Sequence, residues 1–207
     1  MTRKRIIASA LSLFADRGYD KTTFEEVARR LSMTKGAVYW HFPNKQALLL
    51  AIVHEVHERF DTDMLKGRDR KSITFAEAVD ILAEHAAGVA TDSEAACLYM
   101  ILHSRIRWGE TSMTELRGEI IGSAYKGGPF ALLKTALENE AAAGRFRADL
   151  NTDDTAGAML FAWSSLIRAQ IEGFIKKDLK KTVKTALQIF RDGWLPRGAS
   201  AARKTGR

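Results

Sequence analysis

Residues 22–45 read TTFEEVARRLSMTKGAVYWHFPNK. Phe24, Val27, Ala28 and Leu31 recur at the spacing of one helical face. Thr23 stands before them and Glu26 follows three residues on. This is a capping box, in which hydroxyl and carboxylate each satisfy an orphan backbone N–H at a helix start. The pattern predicts a helix over 24–31, a turn at Ser32-Met33-Thr34 and a seven-residue helix over 35–41. Helix, short turn, helix is the unit that lays its second helix in the major groove of DNA.

The residue types along this stretch suit a polyanionic partner. Thr23 and Thr34 place hydroxyls at helix N-termini, where side chain and backbone N–H together can hold a phosphate. Lys35 opens the second helix and can reach a phosphate or a guanine edge. Gly36 lets that helix approach the duplex closely, and Ala37 is placed at the same interface. Tyr39 and His41 can donate hydrogen bonds to phosphates. Trp40 either touches DNA or packs on the helix that follows. Lys45, after Pro43-Asn44, opens that helix and is expected to clamp a phosphate on the far side. Arg29 and Arg30 read as a solvated basic face, with a phosphate contact as the alternative. Phe14, Phe24, Leu31 and Phe42 are expected in the core.

Charge is distributed to match. The 207 residues carry a formal +7, with 32 Lys and Arg against 25 Asp and Glu. Residues 1–50 are net +5 and residues 51–100 net −5, so the basic excess lies where the motif lies. The last quarter is also basic, but Arg197, Arg203, Lys204 and Arg207 fall in a Gly/Ala/Ser-rich terminus, expected to be disordered over 197–207.

Composition excludes several classes. A hydrophobic share of 46% is too high for a disordered chain, and one cysteine cannot form a disulfide framework. No apolar run reaches the roughly 20 residues of a membrane helix. The opening MTRKRIIASALSLFA has the basic start and apolar stretch of a secretory signal. Its Ile7, Leu11 and Phe14 nevertheless fall on one helical face, and Asp16-Arg17-Gly18 stops it like a helix C-terminus. A structural helix and a cytoplasmic protein are the expectation.

Helical periodicity continues to the end, with no period-2 run. Further capping boxes stand at Thr74/Glu77, Thr91/Glu94 and Ser112/Glu115. Helices are predicted over 3–17, 24–31, 35–41, 45–66, 74–90, 93–109, 113–142, 153–176 and 178–194. Gly127-Gly128-Pro129 should break or kink the seventh. Leu160, Trp163, Ile167, Gln170 and Phe174 form a stripe on the eighth, and Leu179, Val183, Ala186 or Leu187, Phe190 and Trp194 one on the ninth.

The first 55 or so residues resemble the N-terminal domain of TetR-type transcriptional regulators. The resemblance is carried by Phe14, Gly18, Thr23, Val27-Ala28, Gly36, Tyr39, His41-Phe42 and Lys45. The Tyr-Trp-His-Phe run at 39–42 is similar to the AcrR-like subgroup, whose members commonly repress multidrug efflux operons. The resemblance implies an all-α, nine-helix, omega-shaped homodimer that pairs through helices 153–176 and 178–194. It implies a helix-turn-helix domain over 1–50, a ligand-binding and dimerisation domain over 51–196, and a small-molecule pocket inside helices five to eight. Ligand would move the fourth helix and change the distance between the two recognition helices. Pocket candidates are Tyr99, Met100, His103, Trp108, Phe130, Trp163, Gln170 and Phe174, with core packing as the alternative for each aromatic or Met.

No metal, cofactor or catalytic set is expected. His54 and His57 share a helical face but lack a completing cluster. Cys97 reads as a small buried hydrophobe. There is no Gly-rich phosphate loop, HExxH or G-x-S-x-G. The sequence therefore predicts a ligand-responsive, dimeric repressor on a palindromic operator, acting on an efflux operon. Control of fatty-acid or catabolic genes, or activation, is the alternative.

Overall fold

The computed structural model describes residues 2–61, 65, 67–104, 106, 109, 113–147, 149–176 and 178–195. The described residues form ten α-helices and one 3-10 turn, with no strand among them. The helices are α1 (Thr2–Arg17), α2 (Phe24–Arg30), α3 (Lys35–His41), α4 (Lys45–Asp61), α5 (Phe75–Thr91), α6 (Ser93–Ser104), α7 (Thr114–Gly127), α8 (Pro129–Ala142), α9 (Thr152–Ile171) and α10 (Leu179–Gly193). Nine helices become ten because Gly128 is extended (φ −90°, ψ −156°) and Pro129 starts a new helix at N1, where its missing N–H costs nothing.

Two compact units result, residues 1–60 with 91–122 and residues 61–90 with 123–207. In the first, α1 packs on α2 and α6, and α2 packs on α3. Ile6, Phe14, Val27, Val38, Leu48 and Leu98 are buried in it. In the second, α9 packs between α8 and α10. Leu132, Leu133, Leu137, Met159, Trp163, Ile167, Val183 and Leu187 are buried there.

Helix ends explain where sequence and structure part. The Thr23/Glu26 box forms, as does Thr74/Glu77. At 91–94 the cap is Asp92 instead, accepting Ala95 N–H at 2.8 Å, because α5 runs on through Thr91. Ser112 lies outside the described residues, and so do residues 62–64 and 66 of the predicted fourth helix and residues 105, 107 and 108 of the sixth. The predicted helix 153–176 stops at Ile171. Gly173 there adopts φ +79°, and the N–H groups of Gly173 and Phe174 return to the carbonyls of Gln170 and Ala169 at 3.0 and 2.8 Å. That is a Schellman stop, the left-handed position falling to the residue without a Cβ. The α2–α3 turn uses the same geometry without glycine. Ser32 sits at φ +53°, with Ser32 N–H on Arg29 carbonyl and Met33 N–H on Ala28 carbonyl.

Buried and half-buried polar side chains tie the second unit together. Trp163 Nε1 donates to the Leu82 carbonyl in α5 at 2.9 Å. Glu140, near the end of α8, accepts the orphan N–H of Phe75 at 3.1 Å and Arg145 Nε at 2.5 Å. Asn139 donates to the carbonyls of Lys71 and Ile73 at 3.0 and 2.9 Å. Burial acts to raise the Glu140 pKa, but the bonds from Arg145 and Phe75 outweigh it and hold the carboxyl below its ordinary value.

Two outcomes follow from these ends and ties. The folded pKa of Glu140 lies below the unfolded one, so its stabilisation is present above about pH 4.5 and fades as pH falls through the folded value. Glu140→Gln should therefore lower the unfolding free energy from urea titration at neutral pH by about 1–3 kcal/mol, and the gap to the parent should narrow in acid. Ser32→Gly should raise stability by about 0.5–1 kcal/mol, because relief of the left-handed penalty exceeds the extra chain entropy that glycine loses. A lowered urea midpoint would show that the serine is not strained.

Candidate nucleic-acid interface

The α2–α3 pair is built from two seven-residue helices whose N-termini are both threonine-capped. Thr23 Oγ1 accepts the N–H of Glu26, and Glu26 in return accepts the N–H of Thr23 at 3.0 Å. Thr34 Oγ1 accepts the N–H of Ala37 at 3.2 Å, which leaves its own O–H to donate outward.

One face of α3 is fixed by burial. Val38 is fully buried and Phe42 follows it into the core four residues later. The opposite face therefore carries Lys35, Gly36, Tyr39 and Trp40, all exposed. Trp40 is 82% exposed, with its ring edge-on to His41 at 4.7 Å, so it stands in solvent and not against α4. Tyr39 packs its ring edge-on against Phe24, centroids 4.9 Å apart, which fixes its direction. Ala37 and His41 are half-buried flanks of this face.

Gly36 has no internal reason to be glycine. A Cβ built there would meet only Thr34 Oγ1, at an ordinary 3.9 Å. Glycine in a helix costs up to about 1 kcal/mol against alanine, and among the described residues no close contact with a Cβ accounts for it. The smooth patch it leaves is open to an external surface.

Electrostatics on the same face centre on Lys35. Its ammonium is ion-paired with Glu25 of α2 and lies 5.5 Å from the Tyr39 ring centroid. The hydrogen bond from Lys35 pulls the Glu25 carboxyl down and raises the Lys35 pKa, so both stay charged. Glu25 has no role in the sequence reading. Nor has Arg3, whose guanidinium stacks over the Phe42 ring at 5.2 Å and brings the basic start of α1 beside the end of α3. Arg29 and Arg30 are exposed, Arg30 lying 4.0 Å from Asp16.

Lys45 is placed differently from the rest. Its ammonium donates to the carbonyls of Tyr19, Asp20 and Thr22 at 2.8, 3.1 and 3.1 Å and lies over the Tyr19 ring at 4.5 Å. An ammonium has three donors, and all three are engaged within the chain. A phosphate would have to break one of them. Burial pushes the Lys45 pKa down.

The ligand candidates are divided between the two units. In the first, Tyr99 and His103 stack on α6 with centroids 4.2 Å apart, and Met100 is half-buried. In the second, Phe130 and Trp163 are buried, Trp163 lying 5.5 Å from the His85 ring. Gln170 is half-buried, and its Oε1 is enclosed without a hydrogen-bond partner. Phe174 leaves the predicted stripe, since the Gly173 stop turns it out of α9 to 80% exposure. Trp108 lies outside the described residues. Cys97 is half-buried, its Sγ 3.8 Å from the Leu11 carbonyl. Among the described residues no cluster of three or more His, Cys, Asp or Glu could hold a metal ion, and no helix is long and apolar enough to cross a membrane.

Residues 6–52 match the tetR family of bacterial regulatory proteins. The HTH-type transcriptional regulator TtgR of Pseudomonas putida is 26% identical over 198 residues, spanning 92% of this chain and 91% of that protein. A protein named "Probable acrEF/envCD operon repressor" from Escherichia coli is 45% identical over 47 residues, 23% of this chain and 21% of that one. The fold matches that of native NalD, described as the secondary repressor of the MexAB-OprM multidrug efflux pump in Pseudomonas aeruginosa. That match has a TM-score of 0.76 at 22% identity over 95% of this chain and 98% of the other. Residues 6–52 thus carry the domain of the tetR family, with the capped helix pair inside it, and a transcriptional regulator resembles the chain along nearly its whole length.

Proposed function

We propose that the chain is a cytoplasmic, homodimeric repressor that leaves a palindromic operator when a small apolar molecule binds it, and that it controls a multidrug efflux operon. The observation that carries the DNA part is the exposed face of α3, where Lys35, Tyr39 and Trp40 flank a glycine with no internal purpose. Thr34 and Lys35 hold phosphates or a guanine edge, Gly36 and Ala37 allow close approach, and Tyr39, Trp40 and His41 contact the backbone. Thr23 adds a phosphate contact at the N-terminus of α2. Residues 1–50 read the operator, residues 51–196 sense ligand and dimerise, and the basic tail 197–207 is dispensable for folding.

Dimerisation through α9 and α10 is supported by apolar side chains left in solvent. Phe161 of α9 is 70% exposed and Ile189 of α10 is 67% exposed. Ala158 and Ser165 share the Phe161 face at i−3 and i+4, and small neighbours let a second copy approach. Candidate inducer contacts are Phe130, Trp163 and Gln170 within the second unit and, separately, Tyr99, Met100 and His103 within the first. Efflux control is supported by the Escherichia coli relative named as an acrEF/envCD operon repressor.

Gly36→Ala separates folding from binding. It should hold or raise the thermal midpoint while weakening operator binding in gel shift by about ten-fold or more. Equal affinity would mean that α3 does not approach the duplex. Operator affinity should also fall steeply with salt, since phosphate neutralisation releases counterions. Phe161→Lys should yield monomers in sedimentation and lose the operator, and a dimer that survives would move the interface elsewhere. Deleting the gene should raise transcripts of adjacent transporter genes, whereas a fall would indicate an activator.

A further inference from the structure

We infer that Glu25 limits the grip of α3 on DNA, by holding Lys35 in an ion pair that any duplex contacting this lysine has to open. The inference rests on the operator-binding reading above and concerns how tightly the duplex is held.

The fold makes little use of Glu25. The capping box of α2 is completed by its neighbour Glu26, which accepts the N–H of Thr23 at 3.0 Å and pairs with Arg17 of α1. Glu25 reaches instead across to the first residue of α3. The side chains of Glu25 and Lys35 are 56% and 50% exposed, so core packing holds neither in place. The pair can open while Phe24, Val27 and Val38 stay buried.

Lys35 depends on α2 for an anionic partner, because α3 carries no acid in its first turn. The Tyr39 ring lies 5.5 Å from the ammonium and is itself set edge-on to Phe24 of α2. Carboxylate and ring together draw the ammonium towards α2. Among the exposed residues Lys35, Gly36, Tyr39 and Trp40, the lysine carries the one full charge, and Glu25 cancels it. The strip as built is close to neutral, although residues 1–50 are net +5.

An acid at this place hinders a protein that only has to bind DNA. Its charge repels phosphate, and a duplex that takes Lys35 gains only the difference between two partners. The same acid suits a protein that also has to let go. A complex held below its attainable affinity is emptied by an inducer with a smaller preference for the free protein.

The test uses four full-length proteins: the parent, Glu25→Gln, Lys35→Met and the double variant. Each is titrated at several low salt concentrations with a duplex from the region upstream of its own gene and with a random-sequence duplex of equal length. Glu25→Gln removes the charge and keeps the size. It should tighten binding to both duplexes by about three- to ten-fold, because an exposed pair no longer has to be opened. It should also steepen the slope of log affinity against log salt by about 0.9 per lysine, or about 1.8 for a dimer. In the Lys35→Met background the same substitution should change affinity by less than about two-fold, which separates an effect through Lys35 from the loss of a negative charge anywhere. Weaker binding by Glu25→Gln would overturn the inference and make Glu25 a DNA contact. An equal gain without Lys35, or an unchanged affinity and slope, would overturn it as well. If the parent binds neither duplex, the operator reading fails and takes the inference with it. If the parent binds and the four proteins show no coupling, that reading stands and the role of Glu25 alone falls.

Discussion

A helix of seven residues does not stand alone in water, because nucleation fixes several dihedrals before hydrogen bonds accumulate. Both α2 and α3 are of that length, and the rest of the DNA-reading region follows from the need to hold them. Their ends are closed chemically by Thr23 with Glu26, by Thr34 and by the left-handed Ser32. Their inner faces are closed by burying Phe24, Val27, Ala28, Val38 and Phe42. Every side chain spent on those tasks faces inward or along the chain. What remains outside is the narrow strip from Lys35 to Trp40, the face assigned to DNA in the proposed function.

The second unit solves a different problem. Its helices are long enough to form readily, and apolar contact alone would let them slide. Register there is set by polar side chains that reach into backbone of another segment. Trp163 seeks the Leu82 carbonyl, Glu140 the Phe75 N–H, and Asn139 the carbonyls of Lys71 and Ile73. A buried donor or acceptor tolerates one position only, since leaving it unpaired costs about 1–3 kcal/mol. Apolar packing of Leu132, Leu133 and Val183 supplies cohesion, and these bonds choose among the arrangements that cohesion permits.

Much of this is legible in the sequence, and the exceptions share a cause. The helix pair, its caps and its buried face are readable because all of their determinants lie within four residues of one another. The position of Trp40 stays open in sequence between solvent and α4, and only the direction of α3 resolves it. Lys45 reads in sequence as a free cation, because its partners are backbone carbonyls 23 to 26 residues earlier, turned towards it by Gly18. Phe174 falls on a stripe only while Gly173 is taken as helix interior, and the freedom of Gly173 at positive φ makes it the stop. At Thr91 two capping residues compete, and the further run of α5 gives the cap to Asp92. Local chemistry is readable, and the outcome of competition between neighbours or across the chain is not.

The Glu25–Lys35 pair bears on how a duplex is met. A lysine in water gathers mobile anions, and their release is what makes phosphate binding favourable and salt-sensitive. Lys35 has a carboxylate of its own in that place. A phosphate arriving there exchanges one anionic partner for another and liberates no ion from solution at that residue. If α3 meets DNA as proposed, a phosphate or a guanine edge must first displace Glu25, so random stretches of DNA gain little from this lysine. On the proposed reading the pair is an internal competitor that discounts backbone attraction at this residue.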